Sequence, residues 1–418
     1  MARAEFQTLP GTRDLLEPES GRVRHLVELF AQLAELAGFG QIVPPMFEDV
    51  GVFVRLGEAS DVVSKELYSF EDKGGREIAL RPEFTASVCR AFAQSRPLLP
   101  WKAWYAGPSF RYDKPQKGRY RQFDQVGAEV LGSNDPDVDT ELIALASRFY
   151  QRLGLTDVEL QINTLGDFAD RPVYLDALKA YLTSHAADLS EQSRATMEIN
   201  PLRVLDSKRR EDAPIIAEAP LIVDYLSDDA AKAFDRVQVG LQALSVPFEI
   251  APRLVRGLDY YTRTTFEFVS TGLDAAQTAV GGGGRYDGLV EALGGPPEPG
   301  VGFALGVDRT LLACEAQGVF GPADVSSDVW VVCTTAGTEG LELVEELRAE
   351  GIRADRSYGG RSMKAQMKAS NRSGAAIALI LGEDEVGAGT VSVRTLRGEG
   401  EQAPVERSQV VEKVKSLL

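Results

Sequence analysis

A chain of 418 residues, 44% hydrophobic and 26% charged, is long enough for two or three domains with separate cores. No stretch approaches the roughly 20 apolar residues that cross a bilayer. The net charge of −17 argues against a broad nucleic-acid surface but leaves room for a local one, because phosphate contact depends on where Lys and Arg cluster. Three far-spaced cysteines and two histidines support neither a disulfide framework nor a structural zinc site. The opening run MARAEFQTLPGTRDLLEPES lacks the apolar centre of a signal peptide, so a cytoplasmic location is expected.

In chain order, Val23, Leu26, Val27, Phe30, Leu33, Ala34 and Ala37 recur at helical spacing, between Pro18 and the stop Gly38. Ile42 to Phe47 holds paired prolines and reads as a short extended segment. Leu67 to Leu80 predicts a hairpin turning at Lys73-Gly74-Gly75, and Trp101–Tyr112 with Tyr120–Leu131 predicts a second, joined by the basic loop Asp113 to Arg119. From about Asp167 to Phe248 the pattern turns helical, with Leu175, Leu178, Tyr181 and Leu182 and then Ala230 to Leu244, as in an insertion between strand-rich regions. Strands return at Tyr260–Val269 and Val301–Leu305. Gly321-Pro322 and the polar stretch to Asp328 predict a linker. Beyond it, strand–helix alternation through Val329–Cys333, Leu341 to Leu347, Met363 to Met367 and Ala376–Leu381 predicts a small α/β domain with a largely parallel sheet. The stretch Arg353 to Arg372 carries six basic residues, including Arg361, Lys364 and Lys368, against the single acid Asp355.

Neither common nucleotide-binding glycine signature is present, and Gly281-Gly282-Gly283-Gly284 is the one glycine-dense run. Another means of holding a nucleotide is visible. Arg111 ends a strand, where a guanidinium can make two parallel hydrogen bonds to a phosphate. Lys114, Lys117, Arg119 and Arg121 follow, and Phe123 offers a stacking surface on the return strand.

These segments together resemble the histidyl branch of the class II aminoacyl-tRNA synthetases. FRYDKPQKGRYRQFDQ resembles motif 2, the strongest of the signals. IVPPMFED resembles motif 1, the dimer-interface element, and GVGFALGVDR resembles motif 3, ending at Arg309. RGLDYYTRTTFEF and GGGGRYDGLVEALGG are similar to the two histidine-specific motifs, with LRPEFTA and QVGAE completing the pocket. The order of these motifs spans nearly the whole chain.

The resemblance implies an α+β fold: an antiparallel-sheet catalytic domain over residues 1–325, with a helical insertion at about 168–248, and a C-terminal α/β anticodon-binding domain over 326–418. It implies ATP-dependent ligation of L-histidine to tRNA(His) through histidyl-adenylate, with Mg2+ accompanying ATP, no protein-bound structural metal, and a homodimer formed through motif 1. Arg111 and Arg256 would hold the α-phosphate, Arg119 and Arg309 the outer phosphates, and Phe123 the adenine. Glu83, Thr85 and Gln125 would receive the ammonium and carboxylate of histidine. Glu129 and Tyr261 would bond the imidazole, with Tyr260 lining the pocket. A site with such buried polar groups rejects amino acids lacking ring nitrogens, because its own groups would be left unpaired. The Arg353–Arg372 cluster, with Arg361, Lys364 and Lys368, becomes the expected tRNA contact.

Three positions depart from the family pattern. Phe84 stands where many relatives have glycine and Asp124 where many have histidine; alternation along a strand would turn both away from the substrate. Asp113 replaces a longer glutamate that meets adenine in relatives. A non-catalytic regulatory paralogue would lack the C-terminal domain and the arginines, and a prolyl or threonyl enzyme would lack RGLDYYTRT.

Overall fold

The computed structural model describes residues 6–55, 65–256, 260–273, 278–321, 327–397 and 401–418. Contacts divide the chain into two compact units, Met1–Pro322 and Ala323–Leu418. Most of the expected linker, 322–326, and Gly257 to Asp259 of the RGLDYY run lie outside the described residues.

The first helix, Glu19–Leu36, buries Leu26, Leu29, Phe30, Leu33 and Ala34, the face expected from their spacing. It ends before Gly38, whose φ of +82° suits glycine. Among the described residues the large unit is built on an eight-stranded sheet. Its strands are β1 (Gly40–Gln41), β5 (Trp101–Phe110), β6 (Gln122–Leu131), β7 (Val158–Thr164), β8 (Glu249–Ile250), β9 (Thr262–Ser270), β10 (Ala279–Arg285) and β11 (Gly300–Gly306), in the order β1-β5-β6-β11-β10-β9-β7-β8. The pairs from β5 to β7 are all antiparallel. A smaller sheet joins β2 (Phe47–Asp49), β3 (Ser69–Glu71) and β4 (Glu77–Leu80), the last two forming the expected hairpin.

One face of the large sheet packs an apolar core with the first helix and the helix Pro136–Arg152, through residues such as Phe30, Phe149, Phe266, Phe268 and Phe303. The block from Asp167 to Phe248 has two packing environments. Tyr174, Leu178, Leu182, Met197, Ile216 and Ile222 form a separate cluster that also takes in Tyr261. The helix Asp228–Ala243 instead sends Phe234, Val237 and Leu241 into the main core.

In the second unit, β12 (Val329–Cys333) pairs in parallel with β13 (Ala354–Arg356) and β14 (Ile377–Leu381). β14 then pairs antiparallel with β15 (Thr390–Thr395), and β15 with β16 (Gln402–Glu406). The sheet is therefore mixed rather than largely parallel. After Leu381 only the short helix Glu383–Ala388 intervenes, too little chain to cross back to a parallel position.

Candidate active site

The uncovered face of the large sheet forms the floor of a cavity of about 330 Å3. It is open because two central strands, β10 and β11, carry glycine where side chains would stand. A Cβ on Gly282 would lie 2.8 Å from the Arg256 guanidinium, one on Gly284 2.9 Å from the Tyr261 ring, and one on Gly302 1.5 Å from Glu129 Oε2. Larger residues cannot occupy these positions with the neighbouring side chains in place. Glycine here is required by close approach rather than by backbone freedom.

The cavity has two chemically distinct ends. At one end lie Glu83, Thr85, Gln125, Tyr260 and Tyr261. Glu83 caps the helix Thr85–Ser95, accepting from the backbone N–H of Thr85 at 2.7 Å and of Ala86 at 2.8 Å. Burial raises its carboxyl pKa despite those bonds. Ser109 donates to the Gln125 carbonyl at 2.9 Å, which orients the amide. The rings of Tyr260 and Tyr261 sit 4.6 Å apart. Both precede β9, which begins at Thr262 rather than at Tyr260 as expected, and both border the cavity.

Glu129 lies one layer behind this wall and is fully buried. Its Oε1 accepts from Thr85 Oγ1 at 2.8 Å and from the Tyr105 hydroxyl at 3.0 Å, and its Oε2 from the Tyr286 hydroxyl at 2.6 Å. Burial pushes its pKa up to about 8, with the nearby Glu83 adding to the rise and donation from the Tyr286, Thr85 and Tyr105 hydroxyls opposing it. A carboxylate has about four acceptor positions, so Oε2 keeps one beyond its bond to Tyr286. That oxygen sits beside Gly302, a residue of the cavity wall.

The other end holds Arg111, Arg119, Arg256 and Arg309, with Phe123. Arg111 Nε donates to the Pro82 carbonyl at 2.9 Å, and its guanidinium carbon lies 5.3 Å from the Phe123 ring centre. Arg309, on the helix Val307–Gln317, donates to the carbonyls of Ala279 at 2.9 Å and Gly118 at 3.2 Å. Burial holds Arg111 and Arg309 below the usual arginine range, and for Arg309 repulsion from Arg119 and Arg111 adds to it. Arg119 pairs with Asp113. Arg256 pairs with Glu267 on β9. Burial opposes its charge, but Glu267 and the tyrosine oxygens outweigh that and leave its pKa raised. Its buried Nε has no hydrogen-bond partner among the described residues. Four guanidiniums around one space form a receptor for a polyanion.

Proteins of known family resemble this chain in sequence and fold. A family model described as histidyl-tRNA synthetase matches residues 11–310, and one described as an anticodon binding domain matches 328–417. The histidine–tRNA ligase of Rhodococcus erythropolis is 48% identical over the full length of both chains. The Streptomyces coelicolor one is also 48% identical, covering 99% of this chain and 98% of its own. The crystal structure of apo histidyl-tRNA synthetase from S. aureus superposes with a TM-score of 0.83 at 34% identity, covering 98% of this chain and all of that one.

The chain belongs to the histidyl-tRNA synthetase family.

Within this histidyl-tRNA synthetase fold, Glu83, Thr85, Arg111, Arg119, Phe123, Gln125, Arg256, Tyr260, Tyr261 and Arg309 border this one cavity and Glu129 reaches it from behind, whereas Lys114, Lys117 and Arg121 of the basic loop do not line it. Two expectations about neighbours need correction. Phe84 is not on a strand: it is the residue preceding the helix Thr85–Ser95, and its ring stacks on Tyr105 away from the cavity. Asp124 is on β6 as expected, yet borders the cavity, with Arg13 and Arg81 as its charged neighbours. Sequence reasoning missed Tyr286, although its motif was recognised, because the bond to Glu129 spans 157 positions. It also gave no role to Arg285, which is fully buried and paired with Asp139 on the helix Pro136–Arg152.

The exposed Arg361, Lys364 and Lys368 fall in the second unit. Lys364 and Lys368 lie on the helix Met363–Arg372, with Arg361 just before it. Arg353 of the same basic run is paired with Asp328 instead.

Proposed function

We propose that this protein ligates L-histidine to tRNA(His) in two steps. The histidine carboxylate attacks the α-phosphorus of ATP, releasing pyrophosphate. The 3′-terminal ribose hydroxyl of the tRNA then attacks the acyl-adenylate, releasing AMP. The observation that carries this reading is one cavity with carboxylates and tyrosines at one end and four arginines at the other.

At the carboxylate end, burial raises the cost of ionising both Glu83 and Glu129, Glu83 adds to that of Glu129, and a cationic ammonium relieves it. Glu83, Thr85 and Gln125 receive the ammonium and orient the histidine carboxylate. The unfilled acceptor position of Glu129 and the Tyr261 hydroxyl take the two imidazole nitrogens, with Tyr260 as the wall.

At the other end, attack places negative charge on the α-phosphoryl oxygens, so preorganised cations act where charge develops. Arg111 and Arg256 hold the α-phosphate from opposite sides, Arg119 and Arg309 hold the outer phosphates, and Phe123 stacks on adenine. The acids nearby are already engaged, Glu267 with Arg256 and Asp113 with Arg119. A Mg2+ ion would therefore come with the ATP substrate, and the chemistry it would supply is neutralisation of phosphate charge beside these arginines.

The second unit contacts tRNA through Arg361, Lys364 and Lys368. The protein acts as a cytoplasmic homodimer through the region of Pro44 and Pro45, where Val43, Met46 and Phe47 expose apolar surface. No helix among the described residues is long and apolar enough to cross a membrane.

Histidine-dependent exchange of pyrophosphate into ATP tests the assignment. The expected result is exchange with histidine and none with the other amino acids; no exchange with histidine overturns it.

A further inference from the structure

We propose that Phe84 is a positioning residue for recognition of the amino-acid side chain: clamped between Arg81 and Tyr105, it sets the Tyr105 hydroxyl against Glu129. This rests on the reading of Glu129 as a ligand of the substrate ring.

The clamp is a three-layer stack. The Phe84 and Tyr105 rings are 4.2 Å apart and within 4° of parallel, and the Arg81 guanidinium carbon lies over the Phe84 ring, 3.9 Å from its centre; with Tyr105 covering one face, the cation takes the other. Arg81 is itself held by backbone carbonyls. Its Nε donates to Pro108 at 2.8 Å, and its Nη1 to Pro44 at 2.8 Å and Pro45 at 3.3 Å. Phe84 is thus pressed from a fixed plate and cannot rotate without breaking the stack.

The Tyr105 hydroxyl has one proton and two acceptors in reach, Glu129 Oε1 at 3.0 Å and the Phe303 carbonyl at 3.2 Å. With the two so close in distance, the tilt of the ring decides which receives the proton. Phe84 sets that tilt. The backbone is shaped to admit the clamp: Gly107 on β5 has φ of +148°, and a Cβ there would come 3.2 Å from Arg81 and 3.6 Å from Phe84. A ring filling core volume would need neither parallel stacking nor a cation on its far face. The bond also tunes Glu129, because donation from Tyr105 stabilises the carboxylate against burial.

The test is histidine-dependent pyrophosphate exchange from pH 6 to 9 with Phe84→Leu, Tyr105→Phe and Glu129→Gln. Phe84→Leu keeps apolar bulk and removes the flat face; Tyr105→Phe keeps the stack and removes only the oxygen. Both should raise the KM for histidine about 10-fold or more, the scale of one lost bond to a charged group. Both should leave the KM for ATP within about two-fold of the wild type and move the pH dependence of the histidine KM upward. Should Phe84→Leu not fold, Tyr105→Phe carries the test. If the clamp variants keep the wild-type histidine KM and pH profile while Glu129→Gln loses histidine, the proposal is overturned. If Glu129→Gln keeps the wild-type histidine KM, the reading of the pocket fails instead.

Discussion

In the large unit, one face of β9, β10, β11 and β6 is packed with Phe266, Phe268 and Phe303, while the other is reduced to backbone at Gly282, Gly284 and Gly302. In the second unit, β14 is buried along its whole length, and Val329, Val331, Leu379, Leu381, Val391 and Val393 form a continuous aliphatic cluster. Arg361, Lys364 and Lys368 stand outside that core, on a helix and in the loop before it. A sheet that presents its face to a ligand has to give up side-chain volume there and import charged groups from elsewhere. A sheet that is saturated with aliphatic side chains can offer charge only at its periphery. Function in the first case is a property of the floor, and in the second of the rim.

The contrast can be broken most severely at Arg285, whose neighbours in β10 serve the cavity while it serves the core. Arg285→Met leaves Asp139 buried without its cation and should destabilise the large unit by about 3–5 kcal/mol, read as a fall in Tm. A Tm unchanged within error would mean that the pair adds nothing to the fold. Next is Arg256, held over Gly282 on the open face. Arg256→Ala should lose about 2.7–4 kcal/mol of transition-state stabilisation, read as kcat/KM in pyrophosphate exchange, with Tm little changed. Normal kcat/KM in that variant would refute its proposed role.

Glu129 predicts a pH effect. Its folded pKa of about 8 lies above that of an ordinary glutamate, so its contribution to stability is complete below the unfolded value and is lost as pH rises towards 8. Wild-type stability should fall over that window by at most about 1.4 kcal/mol per pH unit from this group. Glu129→Gln should flatten the dependence in denaturant titrations; an unaltered slope would assign it to another group. The smallest effect belongs to the rim. Lys364→Ala and Lys368→Ala should each raise the KM for tRNA and lower the salt slope of binding by about 1. A slope identical to the wild type would place the tRNA contact elsewhere.

Long periodic elements were legible because burial repeats at the helical or strand period, as in Glu19–Leu36 and the β5–β6 pair. The site's composition was legible through its motifs, but its layering was not. Tyr260 and Tyr261 read as strand because β-formers follow them, whereas the strand begins one residue later. The motif picked out Glu129, but sequence cannot show that Thr85, Tyr105 and Tyr286 converge on it from three separate elements. In the second unit, strand–helix alternation is a local signal. It gave no warning that β15 and β16 return as an antiparallel edge.

The pairing of Arg119 with Asp113 changes how nucleotide entry should be pictured. With that carboxylate as a resident counter-ion, an outer phosphate bound at Arg119 as proposed would not meet a bare charge. It would displace one anion with another, so that the loop would trade an internal tether for an external one. Part of the electrostatic attraction is cancelled by the bond surrendered, and Arg119 should therefore contribute more to where the triphosphate settles than to how tightly it is held.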